Sequence, residues 1–243
     1  MEEQARSVTG GTEMTILECT NLTKNYGKTE ALKNVNLTLE SGRIAGLLGP
    51  NGSGKTTLIK LVNRLLQPTS GQIRVCGQNP GPETKALISY LPDKEYLPEW
   101  MKVPQLLNFY QDFYADFDME RARRMLADLK IDKAKTLKQM SKGTNEKVRL
   151  ILTMSRRAKL YLLDEPIAGV DPAARDYIIR TIISNYEKDS LILISTHLIA
   201  DIEPVLDEVI FLKDGEIILQ EEADKVRSQQ GKSVDEYFRE VFR

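Results

Sequence analysis

The chain has 243 residues and a formal net charge of −1, with 34 Lys and Arg against 35 Asp and Glu. This balance argues against nucleic acid as a partner, because binding to a phosphate backbone needs a basic excess. One His and two distant Cys exclude His-rich metal sites and argue against a disulfide scaffold. No uncharged apolar run approaches the about 18 residues of a membrane span, so any membrane function would need a span from another chain.

Short apolar or alternating runs predict strands in the first part of the chain, after a polar segment, 1–13, that predicts a flexible leader. These strands are predicted at 16–19, 35–39, 44–48 and 73–76. After Gly54 the apolar residues recur with the period of a helix, which Pro68 ends.

Helical patterns replace the strand signals in residues 93–153, which predict an inserted helical lobe. Half of the chain's aromatic residues lie between positions 90 and 117. We expect about two thirds of them to form the core of this lobe, as large aromatic side chains usually do. A cleft is predicted to be lined by Tyr90, Tyr96, Trp100 and Phe109, with Tyr96 and Trp100 the exposed partner contacts.

Alternation of strands and helices resumes after the lobe and predicts a doubly wound α/β fold. The later strands are predicted at 160–163, 191–194, 209–212 and 216–219. The predicted units are an α/β core formed by 14–92 and 154–221, the helical lobe 93–153, and a C-terminal helix in 222–243. In the last unit, Ser233 and Glu236 fit a capping box. The apolar stripe of that helix either packs on the α/β body or docks to a partner.

The segment 49–57, Gly-Pro-Asn-Gly-Ser-Gly-Lys-Thr-Thr, predicts a phosphate-binding loop, because it follows an apolar strand and begins an amphipathic helix. Its glycines let backbone N–H groups turn toward phosphate oxygens, and the helix N-terminus adds a positive dipole. Lys55 is expected to reach the β- and γ-phosphates, and Thr56 to bind Mg²⁺. The predicted phosphate contacts are Asn51, Gly52, Ser53, Gly54, Lys55, Thr56 and Thr57. A dinucleotide fingerprint fails, since Thr57 stands where a third small residue belongs.

Polar residues follow two later strands, at the sheet edge where α/β sites lie. Asp164 ends a buried run and is expected to hold Mg²⁺, directly or through water. Glu165 follows it and is positioned to act as general base toward an attacking water. His197 follows the next strand and is expected to contact the γ-phosphate or that water.

With these motifs the sequence resembles the nucleotide-binding subunit of an ATP-binding-cassette (ABC) transporter, over residues 14–219. The matching motifs follow the family's order. Tyr26 matches the aromatic that stacks on adenine, 49–57 matches Walker A, and 89–93 matches the segment that ends at the Q-loop glutamine. The signature is matched by 140–144, Walker B and the catalytic glutamate by Asp164 and Glu165, the D-loop by 168–171, and the switch histidine by His197. The resemblance makes Ser141, Gly143 and Asp171 nucleotide contacts and Asp93 a metal-side residue.

The chain departs from the family pattern at four of these positions. Asp93 stands where the family has Gln, so its shorter carboxylate is expected to reach Mg²⁺ through water. Lys142 replaces a Gly and Thr144 a Gln in the signature, and Ala168 replaces a Ser in the D-loop. Ser141 can still cap the following helix and direct its N-terminus at a phosphate.

The resemblance implies a P-loop NTPase (RecA-like) core with an N-terminal antiparallel β-subdomain and the helical lobe. It implies a head-to-tail dimer, homo- or heteromeric, that holds two ATP molecules and hydrolyses them. It also implies a separate membrane permease as partner and a peripheral location on the cytoplasmic face of the membrane.

Two other functions are compatible with a phosphate-binding loop. An ATPase of the same superfamily acting on ribosomes or DNA would carry two cassettes or a long coiled coil, and the chain has neither. A small-molecule P-loop kinase would need neither Ser141 nor His197. Within the transporter family, the segment 113–118 and the Ser-Lys-Gly signature resemble bacterial exporters of antimicrobial or amphipathic peptides, often found beside GntR-type regulators.

Overall fold

The computed structural model describes residues 14–129 and 131–243, and the predicted leader, 1–13, lies outside them. The strands are β1 (Thr15–Tyr26), β2 (Thr29–Glu40), β3 (Arg43–Leu48), β4 (Ser70–Val75), β5 (Ile88–Leu91), β6 (Leu160–Asp164), β7 (Leu191–Thr196), β8 (Glu208–Lys213) and β9 (Glu216–Glu222). The helices are α1 (Lys55–Val62), α2 (Pro82–Leu87), α3 (Val103–Phe113), α4 (Met119–Asp128), α5 (Lys142–Met154), α6 (Pro172–Ser184), α7 (Ile199–Ile202), α8 (Ala223–Gln230) and α9 (Val234–Val241).

The strands form two sheets that lie on either side of α1. The first is antiparallel, with the order β2-β1-β4, and the second has the order β5-β6-β7-β3-β8-β9. The second sheet is parallel except for β9, which pairs antiparallel with β8. The predicted α/β class with an N-terminal antiparallel sheet is confirmed.

The central strands are buried on both faces, which explains their continuous apolar sequences. Along β6, Leu160 and Leu162 face the core between the two sheets, whereas Tyr161 and Leu163 face the core beneath the helices. The same alternation holds along β7. Because successive side chains of a strand point to opposite faces, one short run serves two cores.

The register of the parallel strands aligns their carboxyl ends. Leu48, the last residue of β3, pairs with Thr196 of β7, and Asp164, the last residue of β6, pairs with Ser195. The segments that follow β3, β6 and β7 therefore leave the sheet at the same edge.

The aromatic residues of 90–117 are less buried than predicted. Tyr110 and Phe117 are buried, Tyr90 and Tyr114 are half-buried, and Tyr96, Trp100, Phe109 and Phe113 are exposed. The reason is the amphipathic pattern of α3. It buries Val103, Leu106, Leu107 and Tyr110 on one face. Phe109 and Phe113 lie on the other face, with ring centroids 4.6 Å apart.

The C-terminal segment contains two helices, α8 and α9, where one was predicted. The capping box is confirmed: Ser233 Oγ accepts from the Glu236 N–H at 3.1 Å, and a Glu236 carboxylate oxygen accepts from the Ser233 N–H at 3.0 Å. The apolar stripe of α9 packs on the α/β body, since the rings of Tyr237, Phe238 and Phe242 surround Phe211 of β8 at 5.3–5.9 Å.

Replacing Phe211 with Ala is expected to destabilise the protein by about 3–5 kcal/mol, because the change leaves a cavity beneath three rings. Urea unfolding followed by circular dichroism measures the effect. Ile218→Ala on the exposed face of β9 is the control, with an expected change within about 0.5 kcal/mol. Equal effects of the two substitutions would contradict this account of the packing.

Candidate active site

The loop 49–57 joins β3 to α1, and its backbone accepts only glycine at two positions. Gly52 has φ of +85° and Gly54 has φ of +112°. A Cβ on Gly54 would also lie 2.6 Å from the carbonyl oxygen of Ala31. The sequence folds this way because the chain must turn sharply between a buried strand and a helix N-terminus. Ser53 Oγ is buried here without a partner, so a polar group is available to an incoming phosphate.

The Lys55 ammonium is buried inside this loop and accounts for most of its internal polar contacts. Its Nζ donates to the carbonyl oxygens of Gly49 at 2.7 Å and Pro50 at 3.1 Å. It lies 3.6 Å from a carboxylate oxygen of Glu165. Burial lowers the pKa of Lys55, and the nearby carboxylates of Glu165 and Asp164 oppose that shift. The ammonium is therefore held by oxygens that phosphate oxygens can replace.

Asp164 is buried at the end of β6 and has one free oxygen. Its Oδ1 accepts from Ser195 Oγ at 2.6 Å and from Thr56 Oγ1 at 3.1 Å, whereas its Oδ2 is buried without a partner. Burial raises the pKa of Asp164, and the carboxylates of Asp93 and Glu165 raise it further. A divalent cation would relieve both effects, so the residues present fit Mg²⁺.

The described part of the chain contains no cluster of three or more His, Cys, Asp or Glu that could hold a metal by itself. Mg²⁺ commonly binds through one or two protein oxygens together with substrate phosphates. The pair of Thr56 and Asp164 beside the phosphate loop has this character.

Glu165 lies between Lys55 and His197. One carboxylate oxygen faces the ammonium, and the other lies 3.0 Å from His197 Nδ1. The backbone of Glu165 has φ of +51°, and its N–H donates to the carbonyl oxygen and the hydroxyl of Ser195. Such strain in a non-glycine residue is typical of functional sites. A carboxylate held at this edge can accept a proton from a water molecule.

Asp93 lies in the loop after β5 and faces the same cleft as Thr56 and Asp164, the two residues that fit Mg²⁺. This cleft has a volume of about 660 Å³. Its carboxylate is near enough to Asp164 and Tyr90 to contribute to the raised pKa of both.

The lining of this cleft differs from the prediction. Tyr90 and Tyr96 contribute, as expected, but Trp100 and Phe109 do not. Tyr110, on the buried face of α3, and Tyr114, the residue that follows α3, take their place.

The signature and D-loop residues contact one another. Ser141 Oγ accepts from the Thr144 N–H at the start of α5, and Asp171 caps α6 through the Ala174 N–H. A Cβ on Gly143 would lie 3.4 Å from Asp171 Oδ2. Among the hydrogen bonds and ion pairs of residues 14–129 and 131–243, none joins these residues to the loop 49–57. The structure therefore does not bring them into the cluster around Lys55.

Tyr26 also lies outside that cluster, at the end of β1. Its ring is 48% exposed, with Lys24 Nζ 5.2 Å from the ring centroid. An exposed ring beside a cation can accept a stacked base.

Two residues of the site were absent from the predicted set. Ser195 connects Asp164 to the backbone of Glu165, and its position two residues before His197 was the available signal. Arg149 is a buried charge on the apolar face of α5, and it contacts the loop that carries Asp93. Its signal was a charged residue among apolar helix positions.

Comparisons with known proteins agree on one family. The family model described as ABC transporter matches residues 32–168. The ABC transporter ATP-binding protein YtrB of Bacillus subtilis (strain 168) is 31% identical over 88% of this chain and 74% of its own length. The lantibiotic transport ATP-binding protein SrtF of Streptococcus pyogenes is 30% identical over 86% of this chain and 92% of its own. A solved ATP-binding subunit of an ABC transporter, 29% identical, superposes with a TM-score of 0.84 over 94% of this chain and all of that one.

Asp164→Asn is expected to raise the free energy of unfolding of the metal-free protein at pH 7 by about 0.5–2 kcal/mol. The substitution removes a buried negative charge that is kept for function at a cost in stability. Burial raises the folded-state pKa above its usual 3.8, so ionisation of Asp164 costs stability at pH values above that raised pKa. The advantage of Asn is therefore present at neutral pH and is lost as the pH falls toward 3.8.

Urea titrations in EDTA at several pH values measure this difference. The control is Asp112→Asn at an exposed position of α3, which should change the free energy of unfolding by no more than about 0.5 kcal/mol. A lower stability of Asp164→Asn at neutral pH would contradict the proposed cost of the buried charge.

Proposed function

The chain belongs to the ABC transporter family, and we propose from this that it is the subunit that binds and hydrolyses ATP to drive transport through a separate permease. ATP-binding subunits of this family are ATPases, and so is this chain. The observation that carries the mechanism is the Glu165 carboxylate, which contacts both Lys55 and His197 at the edge of the sheet.

Nucleotide binding is assigned to the loop 49–57 and to Tyr26. Backbone N–H groups of the loop and the N-terminus of α1 receive the phosphates, and Lys55 exchanges the carbonyl oxygens of Gly49 and Pro50 for phosphate oxygens. The exposed ring of Tyr26 stacks on the adenine.

Hydrolysis is assigned to Glu165, assisted by His197. Glu165 orients a water molecule and accepts its proton as the water oxygen attacks the γ-phosphorus and the bond to the ADP oxygen breaks. His197 holds the carboxylate of Glu165 and faces the γ-phosphate. Lys55 stabilises the negative charge on the transferring group.

A Mg²⁺ ion is assigned to Thr56, Asp164 and, through water, Asp93. Bound there, the ion would neutralise charge on the β- and γ-phosphate oxygens. The unpartnered Oδ2 of Asp164 supports this assignment, and Ser195 fixes the other oxygen of the same carboxylate.

A head-to-tail dimer is assigned because, within the described residues, Ser141, Gly143 and Asp171 form no hydrogen bond or ion pair with the loop 49–57 of their own chain. Their helix N-termini favour negative charge, and the phosphates of a nucleotide on a second cassette would provide it. Each ATP then lies between the loop 49–57 of one subunit and Ser141 of the other.

The binding site for the permease is assigned to the cleft beside Asp93. Tyr90, Tyr96, Tyr110 and Tyr114 line this cleft and offer apolar rings with polar hydroxyl groups. No helix in the described residues is long and apolar enough to cross a membrane. The family resemblance also implies that the permease holds this subunit at the cytoplasmic face of the membrane. Co-purification of the permease with the wild type, reduced by Tyr96→Asp, would test the assignment.

The cargo is assigned to the class of antimicrobial or amphipathic peptides. The Ser-Lys-Gly signature supports this assignment, and so does the similarity to SrtF, a lantibiotic transport ATP-binding protein. The relatives YtrB and SrtF are both named as ATP-binding proteins of transporters. Their similarity to this chain favours a transporter over an ATPase that acts on ribosomes or DNA. Co-expression with the permease should raise resistance to such a peptide, and unchanged resistance would count against this cargo.

Glu165→Gln is expected to lower ATP turnover by about 10²–10⁴-fold, because the amide cannot accept a proton from water. ATP affinity should stay near the wild-type value, and the dimer should persist with ATP bound. Steady-state hydrolysis, nucleotide titration and light scattering measure the three properties. Tyr26→Ala is the contrasting variant: it should weaken ATP binding and leave turnover at saturating ATP intact. Turnover of Glu165→Gln near the wild-type rate would remove Glu165 as the base.

Mixing two inactive variants tests the shared site. Lys55→Ala and Ser141→Arg each spoil both sites of their own homodimer, whereas a mixed dimer keeps one site with a normal loop and a normal signature. The mixture is therefore expected to hydrolyse ATP faster than the sum of the separate variants. A mixture no faster than that sum would contradict the head-to-tail arrangement, and full activity of Ser141→Arg alone would favour a monomeric P-loop enzyme.

A further inference from the structure

Arg149 of α5 holds the backbone on both sides of Asp93. The residue is 2% exposed, and its Nη2 donates to the carbonyl oxygens of Pro92 and of Lys94, the latter at 2.9 Å. One guanidinium nitrogen therefore connects the residue before Asp93 to the residue after it.

The Nη1 group of the guanidinium is also paired, whereas its Nε is buried without a hydrogen-bond partner among the described residues. Its Nη1 donates to both carboxylate oxygens of Glu146, at 2.8 and 2.9 Å, and its Cζ lies 5.2 Å from the ring centroid of Tyr96. A buried charge is retained at low cost only when it is paired and hydrogen-bonded in this way. Arg149 thus forms an ordered junction that none of the assigned steps of binding or hydrolysis uses.

The loop has few other restraints. Among the described residues, the backbone groups of 93–97 take part in no backbone–backbone hydrogen bond. The path of the chain at Asp93 therefore depends on side chains, and Arg149 provides two of the contacts that fix it. Asp93 is itself exposed, and its carboxylate is close enough to the buried Asp164 to raise the pKa of that residue.

We propose that Arg149 is a positioning residue that holds Asp93 toward the metal side of the cleft by binding the carbonyl groups on either side of it. This inference rests on the proposed metal-side role of Asp93. Groups that orient a metal-side residue without touching the metal commonly determine metal affinity. Because Arg149 belongs to the helix that Ser141 caps, a displacement of α5 carries Asp93 with it.

The test is Mn²⁺ binding, followed by electron paramagnetic resonance in the presence of a non-hydrolysable ATP analogue. Mn²⁺ prefers the same oxygen ligands as Mg²⁺. The proteins compared are the wild type, Arg149→Lys, Asp93→Asn and the double variant. Lysine keeps the charge, but a single ammonium cannot span Glu146 and two carbonyl groups.

Arg156→Lys is the matched control. Arg156 lines the same cleft and is 3% exposed, but it pairs with Asp116 and donates to the carbonyl oxygens of Ile88 and Ala86 rather than to those beside Asp93. Should Arg149→Lys fail to fold, the double variant Glu146→Gln/Arg149→Gln takes its place, since it removes both buried charges together.

Arg149→Lys is expected to weaken Mn²⁺ binding by about 10-fold, the lower end of the effect of lost orienting contacts, with the control much closer to the wild type. The variant that combines Arg149→Lys with Asp93→Asn should bind Mn²⁺ no more weakly than Asp93→Asn alone, because Arg149 acts on the metal only through Asp93. An equal loss in Arg156→Lys, or full additivity of the Arg149 and Asp93 effects, would overturn the proposal.

A separate readout keeps the two hypotheses apart. If Asp93→Asn binds Mn²⁺ as tightly as the wild type, the metal-side role of Asp93 is wrong. Amide hydrogen exchange of residues 93–97 then decides whether Arg149 holds the loop. Faster exchange in Arg149→Lys but not in Arg156→Lys supports that hold, and unchanged exchange overturns it.

Discussion

The parallel register of β3, β6 and β7 is the constraint on which the rest of the site depends. Pairing of Leu48 with Thr196, and of Asp164 with Ser195, aligns the ends of three strands that are distant in sequence. The turn after each strand then delivers a different group to one edge. A slip of one residue would point the side chains of a strand to the opposite face, so the buried apolar runs that fix the register also fix the chemistry.

The buried charges at this edge are only partly compensated by their neighbours. The Lys55 ammonium is buried among carbonyl oxygens and the Glu165 carboxylate, and Asp164 receives two hydroxyl groups on one oxygen. The remaining Oδ2 of Asp164 and the Oγ of Ser53 have no partner. Buried polar groups without partners cost free energy, and a nucleotide with its cation would satisfy both. The same features that destabilise the free protein therefore favour binding.

The helical lobe is connected to this edge by charged side chains as well as by apolar contacts. Arg149 lies in α5 and Arg156 lies just after it. Arg149 donates to the carbonyl oxygen of Lys94 and Arg156 to that of Ile88, and each guanidinium lies against a tyrosine ring. Such contacts have fixed geometry, because a guanidinium is planar and its donors are directional. Movement of the lobe is thus transmitted to the backbone near β5, including the loop of Asp93.

The sequence alone determined the α/β class, the loop 49–57 and the residues after β6 and β7, because local spacing and apolar periodicity encode strands, turns and helix starts. The antiparallel N-terminal sheet was implied by the family resemblance, and the strand pairing confirms it. The division into domains and the roles of the site residues remain predictions. Sequence reasoning placed the aromatics of 90–117 mainly in a core and missed α8, Ser195 and Arg149. Only the tertiary structure decided these points. Whether Phe109 or Tyr110 faces inward depends on how α3 packs against its neighbours, and the carbonyl groups that Arg149 binds, those of Pro92 and Lys94, lie 57 and 55 residues away along the chain.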